Sequence, residues 1–312
     1  MRAISNGNRD LKLSAIRERV AVDAIRLAPK SAFSGVVGWG ARRKLPRALR
    51  APLYGAFANA VGAKLGEVEH SLGDYKSFGA FFSRGLKSGA RSLPEAKADW
   101  AAPCDCNVAE GGPLAGRELS AKGYSFSLAA LLGDEALADS LQSGDFLTLY
   151  LSPRDYHRVH APTDCRLVRY TYIPGSLYPV APFYRKHIDN IFSVNERIVL
   201  ELESDVGTFA LVMVGAAGVG NMRLTSPSFE SRHMRAPVFP RSRKHSGSPH
   251  RVDLPEPLRV HRGQELGAFE LGSTVILCTP GGALNIQTSV GETLQFGETI
   301  ATAPEGVREG QA

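Results

Sequence analysis

Gly272-Ser273-Thr274 leads directly into the apolar run Val275-Ile276-Leu277-Cys278. A small hydroxyl beside an unhindered glycine carbonyl is an arrangement in which a chain can attack its own backbone, although the same residues also make an ordinary turn. A hydroxyl is a weak nucleophile without a base. Candidates for that base lie in Ser152-Pro153-Arg154-Asp155-Tyr156-His157-Arg158-Val159-His160, where two histidines stand three residues apart. Histidine is the side chain best matched to proton transfer near neutral pH. In a turn or helical step the two rings share a face, whereas in an extended strand they point oppositely. The pair admits catalytic, metal-ligating and structural readings. Asp105, between Cys104 and Cys106 and ahead of Gly111-Gly112, either closes an Asx-turn or orients a histidine as the third member of a Ser, His, Asp arrangement.

The elements that must position these residues change character near Trp100. Before it, Leu13, Ile16, Val20 and Leu27 recur at helical spacing until Pro29, which predicts an amphipathic helix over residues 11–28. The small apolar stretch from Ser31 to Gly40 runs into Arg42-Arg43-Lys44, and a second apolar segment, Leu53 to Leu65, carries Tyr54 and Phe57. Apolar helices edged by rings and cations match a segment lying in a bilayer interface; the alternative is a helical pair packed on the main domain. Phe78, Phe81 and Phe82 predict a short helix that docks through its phenylalanines and leaves through a basic loop starting at Arg84.

After Trp100, strands are predicted at Phe146 to Leu151, Arg166 to Ile173, Arg197 to Glu203, Thr208 to Val214 and Thr274 to Cys278, punctuated by Gly and Pro. Leu128 to Leu132 predicts one intervening helix. Ser226 to Arg262, rich in Pro, Ser, Arg and His, reads as a long surface loop. The expected fold class is α+β: a mostly antiparallel β domain over residues 99–312, preceded by a helical, membrane-associating region over 1–98.

The 312 residues suffice for a sizeable core, and 43% hydrophobic with 22% charged residues exclude a disordered or fibrous chain. Lys+Arg 37 against Asp+Glu 31 gives +6, an excess suited to an anionic membrane surface or nucleic acid, or to plain surface charge. Four irregularly spaced cysteines do not make a disulfide framework and fit a reducing compartment. Cys104 and Cys106 lack a second pair at zinc spacing, so no metal site is expected. No apolar run approaches the ~18–20 residues of a membrane span. A signal-peptide core is also missing, and Asp10, Glu18 and Asp23 count against a transit peptide.

Taken in chain order, several blocks resemble the phosphatidylserine decarboxylase proenzymes. They are Gly38-Trp39-Gly40-Ala41-Arg42-Arg43, Ser77-Phe78 with Phe81-Phe82-Ser83-Arg84, Lys122 to Leu128, and Asp155-Tyr156-His157-Arg158-Val159-His160. Gly175-Ser176-Leu177-Tyr178, Asn195-Glu196-Arg197, Val214-Gly215-Ala216 and Arg262 to Val275 complete the set, which spans most of the chain. The resemblance implies that the protein cuts its own Gly272–Ser273 bond, Ser273 Oγ attacking the Gly272 carbonyl. Ser273 then becomes a covalent pyruvoyl group, and a large chain, 1–272, and a small chain, 273–312, remain together. His160 acts as base, with Asp105 orienting it, and His157 protonates the substrate's α-carbon. The pyruvoyl group holds phosphatidylserine through its amine as a Schiff base and accepts the electrons left by carbon dioxide, giving phosphatidylethanolamine for phospholipid biosynthesis.

The resemblance further implies a peripheral protein on the cytoplasmic face of the cell membrane, bound to its anionic surface, a homo-oligomer without nucleic acid or metal. One block departs from the family pattern. Cys104-Asp105-Cys106 stands where Ala-Asp-Gly is usual, and a cysteine at a positive φ would strain the turn by about 1 kcal/mol. Two other function classes fit the same residues: a serine hydrolase acting through Ser273, His160 and Asp105, though without a G-x-S-x-G elbow, and a lipid-binding module without turnover.

Overall fold

The computed structural model describes residues 37–121, 124–185, 187–216, 221–225, 238–240, 248–270 and 273–304. The helix expected over 11–28 lies outside them, as does the Arg241-Ser242-Arg243-Lys244-His245 part of the expected surface loop. Residues 37–42 are helical. Helix α1 (Arg47–Val61) follows Pro46 and ends at Gly62, whose left-handed backbone turns its N–H back onto the Ala58 and Asn59 carbonyls. Helix α2 (Phe78–Phe82) starts at Ser77, whose hydroxyl accepts the Ala80 N–H.

The two helices meet through aromatic rings. Tyr54 stacks on Phe81 at 4.8 Å, and Phe57 meets Phe78 edge-on at 4.8 Å. Tyr54 is fully buried, so its ring serves helix packing and is not available at a bilayer surface. Trp39, Leu49 and Leu53 remain exposed on the same helical region. Among the described residues no helix is long and apolar enough to cross a membrane.

From Asp99 onward strands dominate. In chain order they are β1 (Asp99–Ala101), β2 (Cys106–Ala115), β3 (Glu118–Ala121), β4 (Tyr124–Ser127), β5 (Asp145–Leu151), β6 (Arg158–His160) and β7 (Cys165–Ile173). There follow β8 (Arg197–Ser204), β9 (Gly207–Gly215), β10 (Asn221–Leu224), β11 (Val238–Pro240), β12 (His250–Val260) and β13 (Glu265–Phe269). The last are β14 (Ser273–Thr279), β15 (Asn285–Ile286), β16 (Thr293–Leu294) and β17 (Thr299–Thr302). Between them lie α3 (Leu128–Leu132), α4 (Glu135–Leu141), α5 (Pro182–Arg185) and α6 (Ile191–Val194).

These named strands all pair antiparallel. The largest sheet has the order β12-β7-β8-β9-β14-β5-β2-β3-β4, with β16 added on β2. A second sheet, β11-β10-β13-β6, stands beside a small one, β1-β17-β15. The fold is thus α+β and mostly antiparallel β.

Strand β14 runs through the middle of the large sheet between β9 and β5, and every one of its residues is buried. Val275 and Leu277 join one core cluster, while Ile276 and Cys278 join another. A strand covered on both faces must be apolar at every position, which explains the unbroken run after Thr274.

The stretch read as a surface loop, 226–262, departs from expectation. It supplies β11 and the long edge strand β12. Pro255 and Pro257 hid it; they fall where the register against β7 slips, between Asp253 and Leu258, and an edge strand tolerates such residues.

Candidate active site

Ser273 opens β14, opposite Gly215 on β9 and Leu151 on β5. It is only 1% exposed, and neither its hydroxyl nor that of Thr274 has a hydrogen-bond partner among the described residues. A buried polar group left unpaired costs about 1–3 kcal/mol, so such a position calls for a reason.

Three of the motif blocks converge behind this serine. The Asn195 amide donates to the Gly215 carbonyl at 2.9 Å and the Tyr178 carbonyl at 3.0 Å, while its oxygen accepts the Tyr178 N–H at 3.0 Å. The Gly215 N–H in turn donates to the Glu196 carbonyl at 2.8 Å. Arg197 is buried and donates to the carbonyls of Ala130, Leu131, Ser193 and Asn195, tying the ends of α3 and α6 to the sheet. Burial brings its pKa down to about 10.

His157 reaches the same region along a short path. Its carbonyl accepts the N–H of Phe269, four residues before Ser273. The Leu151 that faces Ser273 lies six residues before His157. Nδ1 of His157 lies 2.8 Å from the Asp155 carbonyl. A carbonyl only accepts, so Nδ1 carries the proton and Nε2 the lone pair. Nε2 is buried and has no partner, and the ring lies against Phe82 at 4.1 Å. Burial pushes the pKa of His157 down to about 3; the Asp155 carbonyl opposes the shift and the Arg84 charge adds to it. At neutral pH this ring is an uncharged base.

His160 belongs to β6 and faces different surroundings, as the extended reading of the pair requires. Its Nδ1 donates to the Gly263 carbonyl at 2.8 Å, and Nε2 accepts the Tyr156 hydroxyl at 2.9 Å. Phe296 stacks on the ring at 3.8 Å. Gly263 presents its carbonyl from φ +79°, and a Cβ there would stand 2.5 Å from Leu93 Cδ1, so only glycine fits. Burial lowers the His160 pKa to about 4. The ring borders a cavity of about 320 Å³ shared with Glu69, Arg91, Arg158 and Glu265.

Asp105 does not contact His160 by any hydrogen bond among the described residues. Its carboxylate accepts from Arg91 Nη2 at 2.8 Å, Arg91 Nε at 3.4 Å and the Phe296 N–H at 2.7 Å. The Gly263 carbonyl therefore orients His160, and Asp105 acts one residue further out by holding Phe296 against the ring. The Cys106 departure costs nothing in the backbone. Among the described non-glycine residues only Asn190 has a positive φ, and Cys106 is the buried first residue of β2.

The family model described as phosphatidylserine decarboxylase matches residues 78–302. A phosphatidylserine decarboxylase proenzyme of Anaeromyxobacter sp. (strain K) is 39% identical over 291 residues, covering 92% of this chain and 100% of that protein. One from Myxococcus xanthus (strain DK1622) is 37% identical over 264 residues, 84% of this chain and 90% of the relative. Another, from Variovorax paradoxus (strain S110), is 38% identical over 266 residues, 84% and 89% of the two chains. The chain belongs to the phosphatidylserine decarboxylase family.

Within this family member, three residues carry more than sequence reasoning assigned to them. Tyr156 and Phe296 confine His160 as described. Arg84, expected only to open a basic loop, is instead 3% exposed and donates through Nη2 to the carbonyls of Arg154 at 3.1 Å and Asp155 at 3.3 Å. The sequence hints were a cation two residues after the phenylalanine-rich α2 and its place in a block that resembles the family.

Proposed function

We propose that this chain is a self-cleaving decarboxylase that converts phosphatidylserine to phosphatidylethanolamine, with Ser273, His157 and His160 carrying the chemistry. The observation that carries the reading is Ser273 at the head of a fully buried central strand, its hydroxyl uncommitted and Gly272 before it. The named activity of the proenzymes from Anaeromyxobacter and Myxococcus agrees with it.

Self-cleavage begins when Ser273 Oγ attacks the Gly272 carbonyl. His160 takes the hydroxyl proton at Nε2 once Tyr156 gives up that atom, with Gly263 holding the opposite nitrogen and Asp105 the Phe296 wall. A second reading, favoured by the unengaged Nε2 of His157, gives His157 this step as well. Ser273 fits the precursor of a pyruvoyl group, because its hydroxyl has no competing bond to break. Once formed, that group supplies a ketone for the substrate amine and a sink for the electrons left as carbon dioxide departs.

One proton transfer then falls to the protein's own residues. The amine arrives as an ammonium and loses a proton to solvent before it attacks. After decarboxylation the proton for the α-carbon passes through Nε2 of His157, whose low pKa makes its protonated form a ready donor.

Exposed Trp39, Leu49 and Leu53 supply apolar contact with the membrane holding the substrate, and the Arg43 guanidinium lies 4.0 Å over the Trp39 ring. Residues up to 98 thus serve docking at an anionic surface, and residues 99–312 catalysis.

Intact-mass measurement of the denatured protein tests the core of the proposal. Two chains split after Gly272 are expected, the small one blocked to N-terminal sequencing, from a preparation that releases carbon dioxide from phosphatidylserine. Ser273→Ala should yield one inactive chain. An active preparation containing only uncut chain would overturn the reading.

A further inference from the structure

Two arginines, Arg84 and Arg197, are buried without a carboxylate within ion-pair distance among the described residues. Taking a lone cation out of water costs several kcal/mol unless its donors are satisfied. Arg197 meets that condition through four backbone carbonyls. Arg84 does not: among the described residues only Nη2 is engaged, while Nε and Nη1 are buried without a hydrogen-bond partner. Its guanidinium also lies over the face of Phe81, 5.5 Å from the ring centre, which leaves those donors unspent.

The position of these donors is defined by the proposed site. Arg84 Nη2 and His157 Nδ1 donate to the same Asp155 carbonyl. Phe82, two residues before Arg84, covers the His157 ring. A buried guanidinium with free donors, its charge offset only at a distance by Asp105 and Asp155, beside the proposed proton-transfer histidine, is a place for an anion.

The substrate offers two anions, a carboxylate and a phosphodiester, and the reaction distinguishes them. The carboxylate leaves as neutral carbon dioxide, so a cation clamped on it would stabilise the ground state more than the transition state and slow the reaction. The phosphodiester keeps its charge throughout. We propose that Arg84 binds the phosphodiester of the substrate head group, an inference that rests on the decarboxylase reading above.

The test compares matured wild type with Arg84→Gln and Arg84→Lys on two substrates: short-chain phosphatidylserine and an O-alkyl serine ether, which keeps the amine and carboxylate but lacks phosphate. Binding of glycerophosphoethanolamine, which has the phosphodiester but no carboxylate, is measured separately by calorimetry. Arg84→Gln should raise KM for phosphatidylserine roughly 30- to 100-fold, and weaken glycerophosphoethanolamine by a similar factor, from the loss of charge-assisted hydrogen bonds. The ether should lose less than threefold in kcat/KM. Arg84→Lys should fall between, because a point charge replaces a planar set of donors.

An equal loss on both substrates would place Arg84 at the carboxylate or the reacting centre and overturn the proposal. Unchanged KM and unchanged glycerophosphoethanolamine binding would make Arg84 purely structural, with the same result. If Arg84→Gln does not mature, Arg84→Lys decides: a rise in KM confined to phosphatidylserine supports the site, and none overturns it. Wild type that binds glycerophosphoethanolamine through Arg84 yet releases no carbon dioxide would sink the decarboxylase reading and leave the anion site standing.

Discussion

His157 and His160 stand three residues apart, yet one keeps a buried ring nitrogen without a partner among the described residues and the other has both ring nitrogens bonded. Among the described residues, Nε2 of His157, the hydroxyls of Ser273 and Thr274, and Nε and Nη1 of Arg84 are buried and unengaged. On the His160 side both ring nitrogens are bonded, Arg91 bridges Asp105 and Glu67 at 2.8 and 2.9 Å, and Arg158 joins Glu265 at 2.8 Å while donating to the Ser83 carbonyl. A fully satisfied network holds its members in one geometry. Unpaired buried groups are retained where a reaction or a ligand supplies the missing partner. On the proposed reading, the difference separates the surroundings of decarboxylation at His157 from the bonded network out of which His160 serves self-cleavage.

The hardest blow to this contrast is His157→Gln. Carbon dioxide release by the matured protein should fall about a thousandfold, the usual scale for losing a proton-transfer group, and a fall below tenfold would break the assignment. On the opposite side Arg91→Ala should act on stability. Asp105 would be left buried with only the Phe296 N–H, and urea unfolding should show a loss of about 3 kcal/mol. A loss under about 1 kcal/mol would mean that this network does not hold the His160 side.

Acidification probes both histidines together. Their folded pKa values, about 3 and about 4, lie below the ordinary 6.5. The unfolded chain therefore binds protons first as pH falls. The stabilising contribution is fully present above about pH 6.5 and is lost as pH drops toward the folded values. Between pH 6.5 and 5.5 each ring should remove about 1 kcal/mol, and His157→Gln should abolish half of that slope in urea midpoints. The mildest change, Tyr156→Phe, removes one hydrogen bond to His160. Stability should drop about 1 kcal/mol, and cutting after Gly272 should be no slower because Nε2 is released. Slower cutting would put the Tyr156 hydroxyl in the proton path.

Much of the architecture was legible locally. The predicted strands at Phe146 to Leu151 and Thr208 to Val214 match β5 and β9 to within a residue at each end, and Leu128 to Leu132 is α3 as expected. These segments declare themselves because burial on both faces demands continuous apolar residues, and because Ser127 and Gly133 punctuate the helix. Strand β12 was missed because its prolines carry a loop signal that only its place at a sheet edge overrides. Tyr54 read first as an interfacial ring, with packing on the main domain as the alternative, and its stack on Phe81 decided for packing.

At the site, the sequence by itself determined which side chains can do chemistry: a serine after glycine, two histidines at odd spacing, an aspartate in a small-residue turn. The partners that hold each of them came from tertiary structure alone. Gly263, which orients His160, lies 103 residues away in the chain, and Phe296, which Asp105 holds, lies 191 residues from that carboxylate. Hydrogen-bond partners so distant leave no trace in local spacing. Only the packing of β6 against β13, and of α2 against His157, decides which ring keeps a free lone pair and which arginine keeps unspent donors.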